Sequence, residues 1–283
     1  MAIYNQRFKM TQKEGSISAP FNKPIGCDYQ DVLHKYHERS KYEEAKDNEE
    51  RQERPNIWLD LDLTCLQAIP SNIFKKLPKE VKEYIAKKIG TIKMHDMKDD
   101  TQSYYLVFER PGLQEFLDFV FLNFNVNIWT AATKDYAAFI IDKIILQNKK
   151  SRKLNYVLVH YHTRKSKERY GKRNAKMLEM LIKYYKLRMR LNNTLIVDDN
   201  HDVQQSQPKI CIAAKEFYLF NEDLFNEGEE LVDYKNFLNE EALNDNFFKN
   251  LIQGLKKYLQ EYELNGQVDD ASGIIGPFLV LKL

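Results

Sequence analysis

Three short apolar runs along the chain each stop abruptly at polar residues: NIWLDLD (56–62), VNIWTAA (126–132) and NTLIVDDN (193–200). Runs of this length and composition predict buried strands rather than half-exposed ones. Between the second and third lie KDYAAFIIDKIILQN (134–148) and NAKMLEMLIKYYKLRMR (174–190), whose apolar residues recur three and four apart and predict helices. Strand, helix, strand order predicts an α/β fold with a Rossmann-like, doubly wound parallel sheet. Right-handed crossovers then bring the carboxyl ends of the strands to one edge, where ligands bind.

The remaining patterns decorate this unit. Two strand-like runs in GTIKMHDMKDDTQSYYLVFERP (90–111) flank a turn signal at Lys98, Asp99 and Asp100 and predict a β-hairpin inserted after the first run. KKLPKEVKEYIAKKIG (75–90) predicts a helix before it, KICIAA (209–214) and FYLF (217–220) predict further short strands, and residues 229–262 predict two covering helices. The chain divides into a charged extension (1–54), a folded domain (55–265) and an apolar tail (266–283). The extension has few apolar positions to anchor a face and reads as a solvated helix or free arm. The tail, ending IIGPFLVLKL, docks on the domain or on a partner, the first being the ordinary outcome.

Charge and cysteine usage narrow the picture little. Lysine and arginine total 43 against 41 acids, for a net charge of +2, so attraction to phosphate has to come from local clustering. One such cluster is the basic stretch HYHTRKSKERYGKRNAK (160–176); its Arg164–Arg173 portion is a candidate for recruiting acidic or phosphorylated substrate. His160 and His162 alternate there as ordinary polar-face residues of a strand-like run. Cys27, Cys65 and Cys211 form no CxxC pair, which points away from a disulfide framework or structural zinc and toward a reducing compartment. An intracellular protein is expected, nuclear or cytoplasmic, with the mitochondrion left open. No apolar run approaches the roughly 18 to 20 residues of a membrane-spanning helix.

The strand ends carry the chemistry. Asp60 and Asp62 are two apart on an extended segment and face one ligand together. A carboxylate can attack a phosphoryl group to give an aspartyl-phosphate that water then cleaves, and a second acid can protonate the leaving oxygen and activate that water. Like charges so close call for a cation. Mg²⁺ prefers hard oxygen ligands, available from Asp60, the backbone carbonyl of Asp62, and Asp198 with Asp199.

Four ordered motifs then carry a resemblance: DLDLT (60–64), ERPGLQEFLDFV (109–120), IWTAATKDYA (128–137) and TLIVDDN (194–200). Over residues 56–263 the chain resembles the haloacid dehalogenase (HAD) superfamily and, within it, the small polymerase-CTD phosphatases, also called NLI-interacting-factor-like. The resemblance implies the HAD fold and an Mg²⁺-dependent serine/threonine phosphatase acting on phosphorylated protein. It implies that Asp60 is nucleophile and metal ligand and Asp62 the general acid/base. Leu61, Thr64, Thr130 and Ala131 would cradle the phosphate, and Asp198 and Asp199 would complete the metal site. Lys176 would neutralise the phosphoryl charge, with Lys172 as the alternative.

Two other classes stay open. Relatives of this fold serve as non-catalytic subunits of the presequence translocase, and the charged extension or apolar tail would suit a protein partner. A nucleic-acid-end phosphatase would follow the backbone with the basic run from Arg164 to Lys176, but Tyr170 is the sole aromatic interleaved there, so nucleic acid is not an expected partner.

Overall fold

A computed structural model of the chain describes residues 54–71, 75, 77–89, 92–98, 104–187, 189–221 and 237–279. In chain order the first elements are β1 (Asn56–Leu59), β2 (Leu66–Pro70), α1 (Lys79–Lys88), β3 (Met94–Lys98), β4 (Tyr104–Glu109), α2 (Leu113–Asn123) and β5 (Asn125–Trp129). Then come α3 (Lys134–Ile140), running on into a π-helical turn (Ile141–Leu146), and β6 (Val157–Leu158), α4 (His160–Tyr170), α5 (Leu178–Lys183) and β7 (Thr194–Asp198). The last are α6 (His201–Ser206), β8 (Cys211–Ala213), α7 (Glu240–Leu243), α8 (Phe247–Asn265) and α9 (Ala271–Leu279). The charged extension lies outside the described residues except for Arg54, as does the turn at Asp99 and Asp100.

The central sheet has the order β6-β5-β1-β7-β8, and every pairing in it is parallel. Side chains alternate across a strand, and the alternation sorts the core into two layers. Ile57, Leu59, Val126, Ile128, Leu195 and Val197 pack on one face with α2, α3 and α8. Trp58, Trp129 and Ile196 pack on the other with Leu178, Leu181 and Ala175. Because both faces are covered, the strands are mostly apolar, and β1, β5 and β7 are buried throughout, with Asn125 and Asn127 as buried polar residues of β5.

A second, antiparallel sheet of order β2-β4-β3 grows from the loop after β1. Its β3–β4 hairpin follows the sequence pattern, whereas β2 does not, being five residues long and closed by Pro70. FYLF is no strand. The Gln67 side-chain oxygen accepts from Leu219 and Phe220 N–H at 2.8 Å each, and its amide donates to the Phe220 carbonyl (2.9 Å), tying the segment to β2, while Phe220 forms an isolated antiparallel bridge with Leu238. The helix expected over 174–190 shrinks to α5. Tyr184 leaves the helix and Lys186 takes a left-handed φ of 57°, so the apolar spacing continues where the backbone does not. His160 and His162 begin α4 instead of a strand, and His162 is buried, its Nδ1 accepting from Val159 N–H (3.1 Å) at an otherwise uncapped helix start. Of the two covering helices, α8 spans 19 residues, α7 is a single turn, and residues 222–236 lie outside the described part.

The apolar C-terminal segment packs on this domain through α9. Ala271 and Ile275 join the main core, and the Ser272 and Val268 amides donate to the carbonyls of Lys209 (3.0 Å) and Asn192 (2.7 Å). Among the described residues no helix is long and apolar enough to cross a membrane. The α8–α9 approach depends on Gly254: a Cβ there would lie 2.8 Å from Ile275 Cγ2 and 3.2 Å from its Cα. Gly254→Ala gains about 1 kcal/mol of helix propensity but forces backbone apart, at a cost of about 1–3 kcal/mol. The expected outcome is a lower midpoint of urea unfolding, and a raised midpoint would show that α9 is loosely held.

Candidate active site

The edge where β1, β5 and β7 end is built by a tight loop. Asp60 N–H still bonds the Val197 carbonyl (3.0 Å), carrying β1–β7 pairing one residue further. The chain then folds back: Leu63 takes a left-handed φ of 60°, and the Leu61 carbonyl accepts from Cys65 (2.8 Å) and Leu66 (3.2 Å). Asp60 therefore closes the strand, and Asp62 lies within the turn that follows it.

Asp60, Asp198, Asp199 and Lys176 meet. The buried Lys176 ammonium lies 2.9 Å from Asp60 Oδ1 and 2.7 Å from Asp198 Oδ2. Its backbone is held by Gln207, whose amide donates to the Lys176 carbonyl while its oxygen accepts from Leu178 N–H, at 2.8 Å each. Lys172 is exposed. Carboxylate oxygens of Asp60, Asp198 and Asp199 all lie within 4.8 Å of one another.

Asp62 stands beside this group, and its carboxylate is not part of it. Its Oδ1 accepts from the Tyr136 hydroxyl at 2.5 Å. Thr64 lies under the site, fully buried, and its hydroxyl is committed: it donates to Asp199 Oδ1 (2.7 Å) and accepts from Asp199 N–H (3.0 Å). The hydroxyl expected to hold phosphate instead aims a carboxylate. Leu61 buries its side chain in the main core, so only its backbone can serve a ligand. Thr130 follows β5; since Leu59 pairs with Ile128, it sits one step beyond the neighbour of Asp60. Its Oγ1 accepts from Ala132 N–H (3.0 Å), which shapes an exposed tip at Ala131.

Two contributors escaped the sequence reading. Tyr136 sits inside the quoted TKDYA segment, but nothing local says its hydroxyl reaches residue 62. Arg110 is fully buried beneath the loop, donating to the carbonyls of Thr64 (3.1 Å) and Lys215 (2.9 Å) and to Asp245 (2.8 Å). The Arg-Pro dipeptide in the motif was its only signal.

The electrostatics follow from four carboxylates and one ammonium out of water. Burial, opposed by the Tyr136 hydrogen bond and reinforced by Asp60, pushes Asp62 up to about 7. Burial also raises Asp199, together with Asp60 and Asp198, and it raises Asp198 against the pull of Lys176. For Lys176 burial works against the charge, but Asp198 and Asp60 outweigh it and hold the ammonium well above the ordinary lysine range. The site has excess negative charge on hard oxygen donors, which fits a small divalent cation such as Mg²⁺ held by Asp60, Asp198 and Asp199.

Comparison with known proteins identifies the family. The sequence profile of the family described as NLI interacting factor-like phosphatase matches residues 55–260. A protein described as CTD phosphatase-like, 355R of Invertebrate iridescent virus 6, is 42% identical over 186 residues, covering 65% of this chain and 97% of the viral protein. Its namesake in Invertebrate iridescent virus 3 is 36% identical over 186 residues, covering 64% and 94%. Among solved structures, Fcp1, described as an essential RNA polymerase II CTD phosphatase, matches with a TM-score of 0.53 at 18% identity, over 84% of this chain and 74% of that one, a likeness of fold.

Raised carboxyl values also make a stability statement. With no cation, the folded state keeps a proton on Asp62 that the unfolded chain releases near 3.8, the ordinary aspartate value, so stability should fall as pH rises from there through about 7. Lys176 stays charged across that window and adds no slope. Mg²⁺ should therefore raise the melting temperature more at about pH 8 than at about pH 5. Differential scanning calorimetry with and without Mg²⁺ checks this; an Mg²⁺ effect equal at both pH values would contradict it.

Proposed function

This chain belongs to the NLI interacting factor-like phosphatase family, phosphatases on the HAD fold, and we propose that it is an Mg²⁺-dependent phosphoprotein serine/threonine phosphatase working through a phospho-aspartyl intermediate. The observation that carries the reading is the meeting of Asp60, Asp198, Asp199 and Lys176 at one sheet edge, with a second carboxyl of raised proton affinity, Asp62, beside them.

Asp60 attacks the phosphorus, and the P–O bond to the serine or threonine oxygen breaks. Asp62 gives that oxygen its proton, since burial holds its proton affinity above that of an ordinary carboxylate. Tyr136 occupies Oδ1 of Asp62, which leaves Oδ2 for the transferable proton. Once the alcohol departs, Asp62 is a carboxylate and takes a proton from the water that cleaves the Asp60 acyl phosphate, restoring both residues. Lys176 neutralises charge on the transferring group and orients Asp60. A bound Mg²⁺ would screen the phosphoryl oxygens from the carboxylates. The Thr130 hydroxyl and the amides about Ala131 and Leu61 would hold the remaining oxygens.

Activity should disappear in EDTA and return with Mg²⁺. Asp60→Asn should abolish the intermediate and turnover together. Asp62→Asn should lower turnover of a phosphoserine peptide about 10²–10⁴-fold, and less for an aryl phosphate whose leaving group needs no proton. Acid-quenched Asp62→Asn protein exposed to an aryl phosphate should carry phosphate on the peptide containing Asp60 in mass spectrometry; phosphate on another residue would falsify the nucleophile assignment. A wild-type protein inactive on every phosphoester would favour a non-catalytic scaffold.

A further inference from the structure

The outer face of α4 and the turn after it carry charge that the reaction leaves unused. Residues 160–173 hold six cations, Arg164, Lys165, Lys167, Arg169, Lys172 and Arg173, against one acid, Glu168. Glu168 is engaged by Lys165 (2.7 Å) and Arg164 (3.6 Å). Arg169, Lys172 and Arg173 are exposed and have no acidic partner among the described residues. The Arg169 guanidinium lies over the Tyr184 ring, 4.0 Å from its centroid, which holds the planar fork in place with its N–H edge available.

This face begins at the rim of the site. In the first turn of α4, His160 N–H bonds the Ala132 carbonyl (2.9 Å), and Thr163 Oγ1 accepts from Trp129 Nε1 (3.2 Å), both on the segment that bears Thr130. Further along, Ser166 Oγ donates to the Asn174 carbonyl (2.7 Å) and accepts from Met177 N–H (3.0 Å), fastening the helix beside Lys176. The field at the rim is positive, since Arg164 and Lys167 add to burial in holding His160 below the ordinary histidine value. From that rim α4 runs eleven residues, about 16 Å at a rise of about 1.5 Å per residue. An extended peptide advances about 3.3 Å per residue, so a peptide laid along α4 from the rim would reach the far cations within about three to five residues.

We propose that this face is a substrate-docking surface that binds a second phosphate on the phosphoprotein, about three to five residues from the phosphoserine or phosphothreonine being hydrolysed. The inference rests on the phosphatase reading above and names its substrate as a multiply phosphorylated segment. Single-stranded nucleic acid fits less well, because Arg169 already covers a face of Tyr184, where a base would stack.

The test compares two peptides of one sequence, one with a single phosphoserine and one with a second phosphoserine about four residues away. Wild-type kcat/KM should favour the doubly phosphorylated peptide about ten-fold at low salt, through KM, and the gain should shrink as salt is added. A variant combining Arg169→Gln, Lys172→Gln and Arg173→Gln should lose that gain and keep full turnover of an aryl phosphate. Equal kcat/KM for both peptides, with aryl phosphate still hydrolysed, removes the docking surface and leaves the phosphatase standing. If no phosphoester is turned over, fluorescence anisotropy with the labelled doubly phosphorylated peptide decides: weaker binding by the triple variant supports the surface, and equal binding overturns it. Tighter binding of a single-stranded oligonucleotide than of that peptide overturns it in favour of nucleic acid.

Discussion

One buried ammonium organises this molecule's chemistry. Lys176 comes from the stretch between α4 and α5, yet its Nζ sits between carboxylates at the ends of β1 and β7, 2.9 Å from Asp60 and 2.7 Å from Asp198. Taking such ions out of water costs several kcal/mol each, and only close, hydrogen-bonded opposite charges offset it. Removing the ammonium leaves two uncompensated carboxylates in the interior. The sheet must therefore bring β1 and β7 side by side, and the crossover must deliver residue 176 to the same edge.

The balance is deliberately incomplete. A single ammonium faces Asp60, Asp62, Asp198 and Asp199, and burial, reinforced by the neighbouring carboxylates, raises the proton affinity of Asp62 and Asp199. Three carboxylates thus converge where a divalent cation would relieve them, and a fourth stands beside them with its proton affinity raised. Tyr136 tempers the second effect by donating to Asp62.

Groups outside the reacting set keep these charges in register. Thr64 ties the first strand's loop to Asp199 through both its donor and its acceptor. Arg110 holds the Thr64 carbonyl from below, pairs with Asp245 just ahead of α8, and lies 4.3 Å from the centroid of Phe247. The covering helix α8 is thereby linked to the loop that carries Asp60 and Asp62, so its packing against α9 supports the site as well as the core.

By itself the sequence determined the parallel sheet, the hairpin, the order of motifs and the acidic strand ends. These are local properties: a strand buried on both faces must be apolar throughout, and carboxylates that end such a strand stand out against it. Lys176 was legible only as one of two basic candidates, and the tertiary structure buries it against Asp60 and Asp198 while leaving Lys172 exposed. The roles of Thr64, Tyr136 and Arg110, the failure of FYLF to form a strand, and the early end of α5 were also decided there. Each depends on a partner far along the chain, 135 residues for Thr64 and Asp199 and 74 for Tyr136 and Asp62. A side chain's periodic position says which way it points, but only the packed fold says what it meets.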